Sequence, residues 1–203
     1  MSDAAPQADA RSGTYRLLAR LALAEIDDEL AAALAGMPIF GEAFSASGGP
    51  EALRRLRVEY TRTFLMNVHP YESVYLDDSG MLNTPRSGAV LEHYREHGFE
   101  PAAARASGAP DHLGLELEFM AQLIQREAGA SRAGYRVVAA ALREEQAHFL
   151  EAHLVRWGPL FGRALAESAE SPLYRTLGEA IETFLLGDYQ ALIESEARGG
   201  QGG

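Results

Sequence analysis

The 203-residue sequence predicts an all-α protein, a single-domain bundle of about seven to eight helices. Three observations favour this fold class. Apolar side chains recur at three- and four-residue spacing along most of the chain, which is the period of a helix that buries one face. Serine, proline and glycine stand where those periodic segments should start and end. No segment shows the apolar–polar alternation of a β-strand.

Three helices are predicted in the first half of the chain. The first covers residues 14–34 and is stopped by Gly36 and Pro38, neither of which suits a helix interior. The second begins near Pro50, because proline is well suited to a first helical position. The third is a short helix that Ser87 can cap.

The helical period is lost between residues 67 and 86 and returns for a helix that we expect Asp111 to cap. The long helix that follows should break at Trp157-Gly158-Pro159, because proline lacks a backbone donor and clashes with the preceding turn. Ser171 and Pro172 supply the cap and the first-turn proline of the last helix.

The domain limits follow from the same pattern. Residues 1–13 are expected to form a disordered N-terminus, residues 14–197 the all-helical domain, and residues 198–203 a disordered glycine-rich tail. A Gly/Ala/Pro-rich connector at 98–110 joins two helical halves. Such a connector is compatible with a monomer or with a domain-swapped homodimer.

Charge and composition exclude several functions. The formal net charge of −11 disfavours nucleic acid and anionic membranes as partners. Absence of cysteine excludes disulfides, thiolate metal sites and cysteine nucleophiles. No apolar run is long enough for stable membrane insertion, and residues 1–13 do not resemble a signal peptide. We therefore predict a cytoplasmic protein, whose acidity either favours a cationic partner or only maintains solubility.

One metal-type spacing occurs, at Glu145-Gln146-Ala147-His148. Paired-metal sites in helix bundles need two such spacings and carboxylates from two further helices, and the second spacing is absent. A solvated, charged helix face explains His148 and His153 without a metal. We predict no catalytic residue, metal or cofactor. The alternative is a helical-bundle metal-dependent enzyme that uses Glu145, His148 and Glu116.

The segment from Tyr71 to Tyr75 is unusual for a helical protein because it packs two aromatic rings and a carboxylate into five residues. As a binding surface, Tyr71 and Tyr75 would offer flat contact area, and Glu72 could pair with a guanidinium group in a bidentate manner. Alternatively, both rings lie under the bundle and Glu72 caps a neighbouring segment. The sequence leaves both interpretations open.

The entry to the next helix combines Asp111, His112 and Glu116. Asp111 is either a helix cap or part of a site for a cationic ligand. His112 and Glu116 are four residues apart, so an intrahelical pair between them is also plausible.

Together these segments resemble the signatures of the TorD/DmsD/NarJ family of molybdoenzyme-maturation chaperones. The resemblance includes three stretches in order, namely YTRTFL at 60–65, PYESVY at 70–75 and PDHLGLELEFM at 110–120. The helical pattern from about residue 14 to about residue 190 is also similar to the all-helical single domain of that family.

The resemblance implies a TorD-like fold and a cytoplasmic chaperone rather than an enzyme. Such a chaperone binds the apo catalytic subunit of a molybdopterin-dependent oxidoreductase through its N-terminal twin-arginine leader peptide, and holds it for cofactor insertion before export or assembly. A client without an exported leader, as in the nitrate-reductase branch, would bind through another segment. The leader-binding surface implied by position consists of Tyr71, Glu72, Ser73, Tyr75, Asp111 and His112, which Glu116 joins on geometry.

A twin-arginine leader is basic at one end and apolar in the middle. An acidic protein with carboxylates beside aromatic rings suits both parts, because arginine pairs with carboxylates and stacks on rings.

Overall fold

The computed structural model of the protein describes residues 4–101 and 108–199. The predicted all-α class is confirmed, since the described residues form helices joined by short connections and contain no strand beyond one isolated β-bridge. In the first half the helices are α1 (Ala4–Leu23), α2 (Asp28–Ala35), α3 (Pro38–Ala46), α4 (Leu53–Tyr60), α5 (Glu72–Leu76) and α6 (Pro85–Glu96), with a 3₁₀ turn at Gly49–Ala52 and a π-helical segment at Thr61–Asn67.

The second half holds the longer helices. They are α7 (Leu113–Arg132), α8 (Arg136–Phe149), α9 (Val155–Ser168) and α10 (Pro172–Gly199), with a second π-helical segment at Leu150–Leu154. The main packing contacts join α1 to α7, α7 to α8, and α9 to α10. Aromatic rings fill the space between α6, α7 and α8, where Phe119 lies 4.7 Å from Phe149 and 5.1 Å from Tyr94 between ring centroids.

The N-terminal helix starts earlier than the sequence predicts. Helix α1 begins at Ala4, within the segment expected to be disordered, and two polar side chains attach it to the bundle. The Arg11 Nη2 group donates to Asp188 of α10 at 2.8 Å, and the buried Ser12 hydroxyl donates to the Ala121 carbonyl at 3.1 Å. Tertiary polar contacts, which leave no apolar period in the sequence, explain this additional length.

The predicted helix over residues 14–34 is two helices in the structure. Asp27 separates them, because its side chain accepts a hydrogen bond from the Leu30 amide at 2.8 Å and so caps α2. Ser87 is also not a cap: α6 starts at Pro85, and Ser87 lies buried within it. Ser171 does cap the last helix, accepting from the Tyr174 amide at 3.3 Å.

The predicted break at Trp157-Gly158-Pro159 is wrong. Helix continues from Arg136 to Ser168, with Pro159 inside α9 and the π-helical segment Leu150–Leu154 one turn before it. A π turn is wider than an α turn, and such local irregularity allows a helix to accommodate a proline ring without ending.

The domain limits stay predictions. Residues 102–107 of the connector at 98–110 lie outside the described residues, as do residues 1–3 and 200–203. Within the described part of the chain, no helix combines the length and apolar character needed to cross a membrane.

Helices α9 and α10 approach closely at Gly162 and Gly178. A methyl group on Gly162 would stand 2.6 Å from the Gly178 carbonyl oxygen, and one on Gly178 would stand 2.7 Å from the Ala166 amide nitrogen. These neighbours are backbone atoms, so they cannot rotate away. The contact therefore requires glycine on both helices.

We expect Gly178→Ala to lower the free energy of unfolding by about 2 kcal/mol or more, because overpacking forces the backbones apart. Gly187→Ala is the matched control on the same helix, with open space around the new methyl group. That control should raise stability by about 0.5–1 kcal/mol through better helix propensity. Denaturant unfolding of both variants checks the prediction, which equal effects would contradict.

Candidate functional site

The two unusual sequence segments meet in the structure. Residues 70–72 and 111–113 run side by side as an isolated antiparallel bridge that pairs Tyr71 with His112. Two backbone hydrogen bonds flank this pair: the Leu113 amide donates to the Pro70 carbonyl at 2.9 Å, and the Glu72 amide donates to the Asp111 carbonyl at 3.0 Å. The bridge therefore places the starts of α5 and α7 next to each other.

Asp111 caps a helix, but not the helix predicted. Its Oδ2 atom accepts a hydrogen bond from the Ser73 amide at 2.8 Å, so it serves the first turn of α5. The cap of α7 is His112, whose Nδ1 atom accepts from the Gly114 amide at 3.0 Å. Each of the two neighbouring residues thus stabilises a different helix start.

Glu72 is a fully buried carboxylate with two basic neighbours. Its Oε2 atom lies 2.8 Å from Nδ1 of His153, which belongs to the π-helical segment 150–154 and is itself buried. Its Oε1 atom lies 3.7 Å from Nη1 of Arg86 in the first turn of α6. Glu72 consequently connects α5 to two other elements of the bundle.

Burial shifts the pKa values of Glu116 and His112 towards their neutral forms. Burial, with added repulsion from the charges of Glu72 and Asp111, raises the pKa of the Glu116 carboxyl well above its usual value. Its Oε2 atom accepts a hydrogen bond from the Trp157 indole at 3.3 Å. Burial lowers the pKa of His112 to about 4, and an unprotonated Nδ1 is what its capping role requires. The side chains of His112 and Glu116 form no pair with each other among the described contacts.

The two tyrosines combine the two interpretations that the sequence left open. Tyr71 packs edge-to-face on His112 with ring centroids 5.1 Å apart, and Tyr75 packs on Trp157 at 5.5 Å. Both side chains remain partly exposed. Burial raises the pKa of Tyr71 above its usual value and that of Tyr75 to about 12, so both hydroxyls stay protonated. Each ring is anchored on one side and accessible at its rim.

The site contains buried oxygen atoms that have no hydrogen-bond partner among the described residues. They are Glu72 Oε1, Ser73 Oγ, Asp111 Oδ1 and Glu116 Oε1. Buried polar atoms are nearly always hydrogen-bonded in folded proteins, so a group of unsatisfied acceptors in one place needs an explanation. A ligand rich in N–H groups would satisfy several of them.

The structure brings all seven predicted site residues together, but not as an open acidic surface. Glu72, Ser73, Asp111 and Glu116 are buried at 0% exposure, whereas Tyr71 and Tyr75 are partly exposed. No sequence pattern identified Arg86 or Trp157 as neighbours of the site. His153 was assigned to a solvated helix face, which is wrong, since it is 4% exposed.

Of the three residues of the metal-enzyme alternative, Glu116 lies in the site, and Glu145 and His148 lie on α8. Glu145 Oε1 stands 3.1 Å from Nδ1 of His93 and 3.4 Å from Nε2 of His97, while His148 is exposed. Within the ranges that the structure describes, no group of three or more such side chains is arranged to hold a metal ion. This geometry gives the alternative no support.

A family model and several known proteins are similar to this chain, and their descriptions agree with one another. The family model described as "Nitrate reductase delta subunit" matches residues 19–163. A chaperone protein TorD from Aliivibrio fischeri is 26% identical over 153 residues, which is 73% of this chain and 69% of that protein. A selenate reductase assembly chaperone protein from Thauera selenatis is 35% identical over 136 residues, or 63% of this chain and 67% of that protein. A chaperone protein TorD from Shewanella amazonensis is 28% identical over an alignment that covers 70% of this chain and 68% of that protein.

The cap across the bridge predicts a difference between two Asp111 variants. Asp111→Ala leaves the buried Ser73 amide without an acceptor and should lower the free energy of unfolding by about 1–3 kcal/mol. Asp111→Asn keeps an acceptor and adds a donor beside unsatisfied oxygens, so its loss should stay below about 1 kcal/mol. Denaturant unfolding measures both. Asp78→Ala, at an exposed position, is the control, and equal losses for the two Asp111 variants would refute the capping role.

The depressed pKa of His112 predicts a pH dependence. The unfolded chain takes up a proton near pH 6.5 and the folded chain only near pH 4, so the stability contributed by neutral His112 is present above pH 6.5 and is lost as the pH falls towards 4. Between pH 7 and pH 5.5 this loss should be about 1 kcal/mol. His112→Asn keeps a capping oxygen but does not titrate. Unfolding at both pH values should show the smaller loss for that variant, and the same loss in both proteins would contradict the assignment.

Proposed function

The chain belongs to the nitrate reductase delta subunit family, the NarJ/TorD family of assembly chaperones, and we propose that it is a cytoplasmic chaperone without catalytic activity that binds the apo catalytic subunit of a molybdopterin-dependent oxidoreductase. It recognises the twin-arginine leader of that client and holds the client for cofactor insertion before export or assembly. The names of the relatives, which are TorD chaperones and a selenate reductase assembly chaperone, support the chaperone role.

One observation carries the choice of ligand: Glu72 Oε1, Ser73 Oγ and Asp111 Oδ1, which are buried without a hydrogen-bond partner among the described residues, lie on the segments that carry Tyr71 and Tyr75 or adjoin them at the bridge. A guanidinium group has five N–H donors in a planar fork and no acceptor, so it suits carboxylates that lack donors. It also stacks on aromatic rings. The net charge of −11 favours the approach of a basic segment.

Exposed apolar side chains support binding of the apolar part of a leader. Leu65 and Met66 precede the bridge along the chain, and Met81 and Leu82 follow α5, with exposures between 42% and 68%. Leu160 is 51% exposed and adjoins Phe161, whose ring contacts Tyr75. Large exposed apolar side chains near one site are typical of a peptide-binding surface.

Burial sets the order of contacts in this proposal. A leader first meets the partly exposed Tyr71 and Tyr75, because the carboxylates of Glu72, Asp111 and Glu116 are shielded from solvent. Full engagement then requires the α5 region to shift. Two π-helical segments lie beside α5, one leading into the bridge and the other carrying His153, and such segments are frequent at functional sites.

A client without an exported leader is the second candidate, because the matching family model is described as that of the nitrate reductase delta subunit. In that case the same site takes an arginine-containing segment from another part of the client. The chaperone acts as a monomer or as a domain-swapped homodimer in either case.

Capture of partners from the host lysate tests the function. Tagged protein should recover one large molybdopterin-dependent oxidoreductase subunit, identified by mass spectrometry, and recovery should be greatest when cofactor synthesis is blocked. Recovery of only general folding factors under both conditions would contradict the proposal.

Two synthetic peptides test the ligand chemistry. The diarginine peptide carries two adjacent arginines followed by an apolar run of leucine and alanine, and the dialanine peptide has alanine in place of both arginines. The diarginine peptide should bind at least about tenfold more tightly at low salt, because charged hydrogen bonds to carboxylates are lost in the other. Added salt should reduce the difference without abolishing binding, since apolar contacts are not screened. Fluorescence anisotropy measures both affinities, and equal affinity at every salt concentration would exclude the acidic site.

A further inference from the structure

We propose that Arg86 occupies, from within the chain, the position that a client arginine takes at Glu72, and that the client arginine displaces it on binding. This inference rests on the proposed function and adds its regulation. The Arg86 side chain is 33% exposed, whereas Glu72 is fully buried, so the guanidinium reaches from solvent to the carboxylate. A resident arginine at this place competes with any incoming one.

The contact between Arg86 and Glu72 is incomplete. Arg86 Nη1 stands 3.7 Å from Glu72 Oε1, beyond hydrogen-bonding distance, and that oxygen has no other donor among the described residues. The firm contact of Arg86 is a hydrogen bond from its Nε to the Leu76 carbonyl at 2.9 Å. A guanidinium seated fully at Glu72 would form bonds that Arg86 does not form, so exchange favours the incoming group.

Helix electrostatics do not explain Arg86. It lies in the first turn of α6, directly after Pro85, where the aligned peptide dipoles favour an anion and disfavour a cation. Its contacts are instead with α5, the helix whose start forms the bridge: the hydrogen bond to the Leu76 carbonyl and the longer approach to Glu72. The position of this arginine is therefore accounted for by its contacts with α5 and not by the dipole of the helix that carries it.

The remaining unsatisfied oxygens extend the argument beyond one carboxylate. Asp111 Oδ1 and Ser73 Oγ are on the two segments joined at the bridge, next to Glu72, and both are buried without a hydrogen-bond partner among the described residues. Arg86 forms no hydrogen bond or ion pair with either of them among the described contacts, since its hydrogen bond is directed to the Leu76 carbonyl. An arginine that enters on a mobile peptide has no such attachment and can direct the N–H groups of its guanidinium at these atoms.

The test compares two variants of α6, in each of which one arginine is replaced by the uncharged residue glutamine. Arg86→Gln removes the resident guanidinium, and Arg95→Gln makes the same charge change at an exposed position in the last turn of α6. Arg86→Gln should bind the diarginine peptide about threefold or more tightly than the parent, because the competing state is removed. It should bind the dialanine peptide with unchanged affinity, and Arg95→Gln should resemble the parent for both peptides.

Two further variants connect the effect to Glu72 and to the guanidinium shape. Adding Glu72→Gln to Arg86→Gln should abolish the gain, because the gain requires the carboxylate. Arg86→Lys keeps the charge but not the fork, so it should bind the diarginine peptide more tightly than the parent and less tightly than Arg86→Gln. This lysine variant also serves if Arg86→Gln is unfolded at the assay temperature in a thermal scan.

The outcomes separate this inference from the function on which it rests. The inference is overturned if Arg86→Gln binds the diarginine peptide no more tightly than Arg95→Gln does. It is also overturned if Arg86→Gln gains as much affinity for the dialanine peptide as for the diarginine peptide. The parent's preference for the diarginine peptide would then still support the proposed function. If the parent itself shows no preference for the diarginine peptide, both the inference and the proposed function are overturned.

Discussion

The backbone pairing of residues 70–72 with 111–113 is the constraint on which the site depends. It fixes the start of α5 against the start of α7, and the Asp111 side chain then caps α5 across the junction. Tyr94 of α6 adds a hydrogen bond to the Pro110 carbonyl at 3.1 Å, which ties a third helix to the same place. Without the pairing, the five-residue helix α5 would have too few internal hydrogen bonds to persist.

Three buried carboxylates in this small region are unfavourable for stability. Glu72 has an imidazole neighbour and a distant guanidinium, Asp111 has one backbone donor, and burial raises the pKa of Glu116 well above its usual value. Removing carboxylates from water is expensive unless they are paired, and apolar residues of the same size would pack here at lower cost. A fold that retains such a cluster, with oxygens still unsatisfied, is consistent with selection for binding rather than for stability.

The sequence predicted what depends on local order and missed what depends on contacts between distant segments. Helical periodicity and the Ser171-Pro172 start were sufficient for the fold class and for the last helix. The two motifs also identified the residues that come together. Asp111 looked like the cap of its own helix because its partner, Ser73, is 38 residues away and leaves no local signal. His153 looked solvated because its neighbours along the helix are charged, although its own position faces Glu72.

Global and local charge have different roles in this molecule. The net charge of −11 is spread over the surface and acts at long range, where salt screens it, so it mainly affects how fast a basic segment arrives. The carboxylates at the bridge are shielded from solvent, and their interactions are short-ranged and directional. Selectivity between arginine and other cations must therefore arise at the bridge, because only there does the shape of the incoming group decide how many oxygens gain a donor.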